Sequence, residues 1–175
     1  MNEGLKLAGR FSARCLDKNG NVKWVDEFPN TVVTAGKNAA LDAFLAGSGY
    51  SVTGPFMGLI SSVDYSAIAA ADTMTSHAGW KEAGSGANYP LYTTPRKTCA
   101  WNAATGGSKA LSAALSFSII TTGGTVKGAF LVFGTGAVST IGDTNGTLLS
   151  AGLFTGGDKV LDVGDTLQIS YSMAA

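Results

Sequence analysis

Groups that carry chemistry are scarce in this sequence. Charged residues make up 14% of the 175-residue chain, which has one histidine, two cysteines and four prolines. An average globular protein is about one quarter charged. The 12 basic and 12 acidic residues balance, whereas a nucleic-acid-binding surface is usually basic. We therefore expect no nucleic-acid partner and, because no acid, base and nucleophile set is evident, no enzyme.

The cysteines and the histidine follow no site motif. Cys15 and Cys99 lack C-x-x-C spacing, so the sequence predicts neither a zinc nor a redox site. We expect two buried free thiols, and only the fold decides whether they can pair. No G-x-S-x-G motif is present, and we expect His77 to be structural. The predicted sets of catalytic, cofactor-binding and metal-binding residues are therefore empty.

Long apolar runs are also missing. No stretch approaches the roughly 18 apolar residues of a membrane-spanning helix. The N-terminal segment MNEGLKLAGR lacks the apolar centre of a secretion signal. We expect a protein that is made in the cytoplasm and has no membrane partner.

Glycine and short apolar segments are abundant instead, at 24 glycines and 45% hydrophobic residues. Apolar and polar residues alternate over 114–120 and 166–173, which predicts strands with one wet face. The segment GAFLVF at 128–133 is continuously apolar and predicts a strand buried on both faces. Other strands are predicted at 31–35, 55–61, 80–82, 96–101, 147–154 and 159–163.

The N-terminal residues predict a β-hairpin. Residues 5–15 alternate in polarity, the sequence DKNGN at 17–21 supplies turn chemistry, and residues 22–28 should return antiparallel. Residues 1–28 are therefore a candidate N-terminal arm for contact between subunits.

One helix is predicted, near residues 36–46. Ala40, Leu41, Phe44 and Leu45 lie at helical spacing and form one apolar face, and Gly47 is placed as a C-cap. A short helical turn is expected over 70–77 and a long surface loop over 83–94. Eight to ten short strands with one helix favour a mainly β fold, namely a single antiparallel, jelly-roll-like β-sandwich over residues 1–175.

Five aromatic residues allow either a contact surface or core packing: Trp24, Trp80, Trp101, Tyr89 and Tyr92. Such rings form sugar-stacking platforms or anchor interfaces. Core packing is favoured for Trp24 and Trp101, which lie in predicted strands. Tyr89 and Tyr92 lie in the predicted loop and are the candidate partner-contact residues.

The charges are unevenly distributed. Residues 98–175 contain only seven of them, so that the second half of the chain presents mainly glycine, serine, threonine and alanine. An uncharged surface favours association. The sequence leaves two interpretations open, lasting assembly or an exposed face that is merely rich in hydroxyl groups.

Several segments follow one another in an order that resembles a known group of proteins. They include NTVVTAGKNAALDAFLAG, ADTMTSHAGWKE, PRKTCAW and VGDTLQISYS, between Asn30 and the C-terminus. The chain resembles small structural proteins of tailed-bacteriophage virions, which include capsid decoration (cement) and head-associated proteins of jelly-roll type. The resemblance implies no catalytic residue, and it carries over Asp72, Trp80 and Glu82 as fold-defining positions, with Asp72 capping a turn and Trp80 in the core.

The resemblance implies a non-enzymatic protein that binds the capsid exterior and stabilises the shell. Its expected partners are the major capsid protein or other virion subunits, together with further copies of itself as a dimer or trimer. Its expected location is the virion, after synthesis in the host cytoplasm. Two alternatives stay open, a tail, adaptor or fibre-base subunit of the virion and a carbohydrate-binding jelly roll used in host adsorption.

Overall fold

The computed structural model describes residues 6–45 and 53–175. This part of the chain forms eleven strands and one helix. The strands are β1 (Ala8–Leu16), β2 (Val22–Pro29), β3 (Thr31–Val32), β4 (Phe56–Ser61), β5 (Lys97–Thr98), β6 (Ser108–Ala110), β7 (Leu115–Ser118), β8 (Gly124–Phe133), β9 (Thr147–Leu153), β10 (Lys159–Leu161) and β11 (Thr166–Ala174). The helix is α1 (Thr34–Leu45).

The strands form two antiparallel sheets. In sheet 1 the order is β2-β1-β11-β6, and β7 also pairs with β11. In sheet 2 the order is β3-β9-β8-β4-β5, and β10 also pairs with β8. Strands make up 44% of the chain and helix 7%, so the chain is mainly β. The two sheets confirm the predicted antiparallel β-sandwich, which has a single helix in its described part.

The main core lies between the sheets. Sheet 1 contributes the inward side chains of β1 and β11, and sheet 2 contributes those of β4, β8 and β9. These buried residues include Phe11, Cys15, Ile169, Met57, Leu59 and Leu131. Alternation along β1 and β11 places one residue in two in this core, as period-2 patterning requires.

A second apolar cluster covers the outer face of sheet 2. Residues 62–82 form a loop whose Met74 and Trp80 pack on Phe130 and Val132 of β8. The ring centroids of Trp80 and Phe130 lie 5.1 Å apart. Because β8 faces the main core on one side and this loop on the other, residues 128–133 are all buried. The prediction for GAFLVF is therefore confirmed.

Helix α1 packs through small residues rather than through its apolar face. Its buried residues are Gly36 and Ala39. A Cβ added at Gly36 would lie 2.3 Å from the backbone oxygen of Leu149, so that only glycine permits this approach to β9. Leu41, Phe44 and Leu45 of the apolar face are exposed.

Some sequence predictions are wrong in detail. Residues 70–77 form turns and bends rather than a helical turn, and residues 80–82 contribute only an isolated bridge between Glu82 and Ile60. The loop 83–94 contains no named strand, as predicted, but its Ala83 and Tyr92 are buried. Two predicted positions, Leu5 in the first strand and Gly47 as C-cap, lie outside the described residues.

The N-terminal hairpin is part of the sandwich rather than a separate arm. β1 lies between β2 and β11 and pairs with β11 from Ala8 to Leu16. Its Phe11 and Cys15 are fully buried in the main core. β2, at the edge of sheet 1, and the outward side chains of β1 keep exposed positions for the predicted contact between subunits.

No helix in residues 6–45 and 53–175 combines the length and apolar character needed to cross a membrane.

Candidate functional site

Asp72 and Trp80 fasten the loop that covers sheet 2. The indole Nε1–H of Trp80 donates a hydrogen bond to Asp72 Oδ2 at 3.0 Å, and the backbone N–H of Ala69 donates to the same oxygen at 2.9 Å. Both side chains are buried. Asp72 thus caps a turn and links it to the buried tryptophan.

Glu82 and Arg96 form a buried ion pair next to this loop. Arg96 donates from Nε to Glu82 Oε1 and from Nη2 to Oε2, both at 2.8 Å. It also donates to the carbonyl oxygens of Val138 and Asp143, and Gly142 N–H donates to Glu82 Oε2. The pair therefore connects the segment 82–96, which begins with Glu82 and ends with Arg96, to the 134–146 loop.

His77 is a packing residue of the same loop. Its ring stacks on that of Trp80 with centroids 4.0 Å apart, and Nδ1 lies 3.1 Å from the carbonyl oxygen of Trp80. A cavity of about 170 Å³ lies beside it and is lined by Glu82 and Arg96, among others. Since these two buried charges are already paired with each other, they offer this cavity neither a free acid nor a free base.

The two cysteines are buried free thiols, as predicted. Burial, together with the nearby Asp165 carboxylate, raises the pKa of Cys15 to about 12. Burial alone raises the pKa of Cys99 to about 12. Because the thiolate is the nucleophilic form, neither cysteine is suited to catalysis.

Ion pairs hold the edge strand β2 at two points. Lys23 Nζ lies 2.6 Å from the buried Asp165, and hydrogen bonds to Asp162 and Asp165 raise the pKa of Lys23. Asp26 pairs with Lys159 and accepts a hydrogen bond from Gly156 N–H at 2.9 Å. Burial opposes ionisation of Asp26, but these two partners outweigh it and lower its pKa.

The structure separates the two predicted contact residues. Tyr92 is only 1% exposed, and its ring packs edge-on against Phe117 at 5.1 Å. Burial raises the pKa of Tyr92. The prediction that Tyr92 contacts a partner is therefore corrected, because its side chain belongs to the core. Tyr89 is 39% exposed, and its predicted contact stays a prediction.

The tryptophans do not form a platform. Trp80 is fully buried, while Trp24 and Trp101 are partly buried and pack against the main core. The favoured core assignment of Trp24 and Trp101 is thus confirmed in part. A sugar-stacking surface would require several exposed rings side by side, and of the five aromatic residues considered only Tyr89 is exposed.

The outer face of sheet 1 is an exposed surface of regular structure. Register pairs Ser12 with Ser170 and Arg14 with Gln168 on this face. An open groove of about 610 Å³ runs over these four residues. We call this surface the open face; its other hydroxyl side chains are those of Ser116, Ser118, Thr166 and Ser172.

The open face is partly predictable. Alternation indicated a wet face for β7 and β11, and the structure confirms it, with the hydroxyl side chains of both strands exposed or half-exposed. The pairing of β1 with β11, which extends the face by Ser12 and Arg14, is a long-range contact that no local pattern reveals.

The exposed side of α1 is a second candidate surface, which sequence reasoning missed. Phe44 is 80% and Leu45 is 70% exposed. A groove of about 290 Å³ beside them is lined by Lys6, Leu7, Lys37 and Leu41. The sequence signal for this surface was the predicted apolar face of the helix. Such a pattern does not show whether the rest of the chain covers that face.

No three His, Cys, Asp or Glu side chains in the described parts of the chain are placed to hold a metal ion together. Comparison with protein families, with curated proteins and with solved structures finds no match.

Proposed function

We propose that this chain is a non-enzymatic structural subunit of a tailed-bacteriophage virion. In this proposal it binds the outside of the capsid, with the major capsid protein as partner, and stabilises the shell. The order of segments from Asn30 onward, which resembles such virion proteins, supports the virion as the location.

The observation that carries the proposal is the difference between the outer faces of the two sheets. The chain covers sheet 2 with its own loop 62–82, where Trp80 packs on Phe130. The open face of sheet 1 stays exposed and carries hydroxyl and amide groups together with Arg14 and the exposed Arg10–Glu27 ion pair. A broad surface of this kind is suited to contact with another protein, because hydroxyl and amide groups hydrogen-bond across an interface at a low desolvation cost compared with charges.

The mechanism of a cement protein needs no chemistry. A protein that binds only the assembled shell stabilises that shell by mass action. The buried ionisable groups described above are engaged within the chain, Glu82 with Arg96 and Asp165 with Lys23. Such internally paired charges hold the sandwich rigid and support binding by a preformed surface.

The copy number in purified particles tests the location. Quantitative mass spectrometry against the major capsid protein should give a simple ratio, such as one to one or one to three, for a shell protein. A ratio of a few per cent would instead indicate that the chain is a tail, adaptor or fibre-base subunit. Absence of the chain from particles would refute the virion proposal.

Charged substitutions on the open face test the contact surface. The double variant Ser12→Lys/Ser170→Lys introduces two neighbouring cations into the capsid contact. The lysine at position 12 lies opposite Glu27, whereas the lysine at position 170 has no acidic residue in register with it on β1 and would be buried without a partner. We expect its affinity for capsids that lack the protein to fall at least about hundredfold, since unpaired buried charges are strongly unfavourable. Thr121→Lys, in an exposed loop, is the control and should bind as the unmodified protein does. Equal binding of both variants would refute the assignment of this face.

A further inference from the structure

The exposed side of α1 contains both an exposed aromatic ring and a groove. Phe44 projects with 80% of its surface exposed. The groove beside Leu41 has a volume of about 290 Å³ and is lined by Leu7, Leu41 and the side chains of Lys6 and Lys37. We call these residues, with Leu45, the α1 patch.

The projecting ring and the groove lie at opposite ends of the same helix side. Lys37 and Phe44 are seven residues apart and therefore share one side of α1, with Leu41 between them. A two-fold axis beside Leu41 makes two copies of α1 antiparallel. Each Phe44 then faces the Lys37 end of the other helix, where the groove lies.

From this geometry we propose that two copies of the chain form a symmetric dimer through their α1 patches, with Phe44 of each copy in the groove of the other. The inference rests on the proposed function and on the dimer or trimer that the resemblance implies, and it assigns this self-association a surface and a symmetry. A two-fold interface must be self-complementary, and a patch that carries both the ring and the groove meets this condition.

The chemistry of the groove suits an aromatic ring. Leu7 and Leu41 line it with apolar side chains, and Lys6 and Lys37 line it with basic ones. A lysine ammonium is attracted to the face of an aromatic ring, and the aliphatic part of the lysine side chain packs against apolar groups. The same two cations make the groove unattractive to a basic segment.

The exposed area is sufficient for a weak dimer. At roughly 200 Å² for each large side chain, Leu41, Phe44 and Leu45, which are 45%, 80% and 70% exposed, together expose about 780 Å² over two copies. This area is below the roughly 1,000 Å² of a stable specific interface and is typical of a weak, transient one. We therefore expect a dimer with a dissociation constant in the micromolar range.

Sedimentation of the full chain tests the dimer without any capsid. The unmodified protein should change from monomer to dimer between about 1 μM and about 500 μM, the range expected of an interface of this size. Phe44→Ser should weaken dimerisation at least tenfold. Val163→Ser removes another exposed apolar side chain and should leave dimerisation unchanged. A monomer at every concentration, or equal effects of the two variants, would overturn the proposal.

Cysteine crosslinking tests the symmetry. In the proposed dimer the two copies of Leu41→Cys meet at the axis and should form an intermolecular disulfide, while Cys15 and Cys99 are buried and do not interfere. The two copies of Thr34→Cys would lie about 21 Å apart, at roughly 1.5 Å per residue, and should not crosslink. Crosslinking of both variants would indicate parallel helices and overturn the antiparallel arrangement, and with it the placement of Phe44 in the groove of the other copy.

These results separate the dimer from the capsid proposal. A Phe44→Ser protein that is monomeric but still binds capsids would support the dimer surface and the open face together. Loss of capsid binding in Ser12→Lys/Ser170→Lys with normal sedimentation would support the open face independently. Failure of either test leaves the other unaffected.

Discussion

Replacement of Arg96 by leucine should destabilise the fold more than any change at an exposed ion pair. Arg96 is 1% exposed and donates to both oxygens of Glu82 and to two backbone carbonyl groups. Arg96→Leu leaves the buried carboxylate of Glu82 and the two carbonyl groups without these donors. Breaking a buried pair in this way costs about 3–5 kcal/mol.

Thermal and urea unfolding measure this loss. For a chain of this size each kcal/mol corresponds to roughly 2–4 °C in Tm, so we expect Tm to fall by about 6–20 °C. Arg10→Leu is the matched control because the side chains of Arg10 and Glu27 form an ion pair but are 65% and 58% exposed. It should change stability by less than about 1 kcal/mol.

A double variant separates the ion pair from general packing damage. Glu82→Leu/Arg96→Leu removes both charges, so that no lone buried carboxylate remains. Its loss of stability should be smaller than the sum of the two single losses by about 2 kcal/mol, a typical coupling for residues in contact. Additive losses, or an Arg96→Leu effect no larger than that of Arg10→Leu, would refute the reasoning.

Three further predictions concern the thiols, an acid-sensitive pair and the histidine. Cys15 and Cys99, with pKa values raised to about 12, should react with a thiol reagent at pH 8 only after unfolding; rapid reaction of the folded protein would contradict their burial. The pKa of Asp26 is lowered in the folded protein from its ordinary value of 3.8, so ionised Asp26 stabilises the fold above pH 3.8 and this stabilisation is lost as the pH falls further. Asp26→Asn should therefore reduce the dependence of unfolding free energy on pH in the acid range. An unchanged pH dependence would exclude Asp26 as its source. His77→Ala should bind capsids normally although it loses the stacking on Trp80, which capsid-binding assays check; lost binding would give the histidine a functional role.

The strands were the most predictable part of the fold. Period-2 alternation in 166–173 and the continuous run at 128–133 correspond to β11 and β8. The turn DKNGN contains Gly20 with a φ of 85°, a conformation that glycine adopts without strain. These features depend on residues close in sequence, and for this reason local patterning reveals them.

The candidate surfaces were less predictable. Ser12 joins Ser170 on the open face through pairing of strands more than 150 residues apart in the chain, and sequence periodicity contains no information on such pairing. Tyr92 was expected on the surface because its segment lacks periodicity, but long-range packing on Phe117 buries it. The positions of Asp72, Trp80 and Glu82 came from the resemblance, and the partner Arg96 appears only in the folded chain.

The sequence by itself predicted that this protein is mainly β, is poor in histidine and cysteine, and forms a helix with an apolar face near residues 36–46. Composition and short-range periodicity suffice for these conclusions, because backbone geometry links them directly to local structure. Only the tertiary structure decided which faces are covered. The backbone of Leu149 lies so close to Gly36 that any larger residue there would clash with it. Helix α1 therefore buries its small residues and presents Phe44 to solvent. Burial depends on packing between distant segments, and that packing gave this chain one covered sheet face, one open face and an exposed helix.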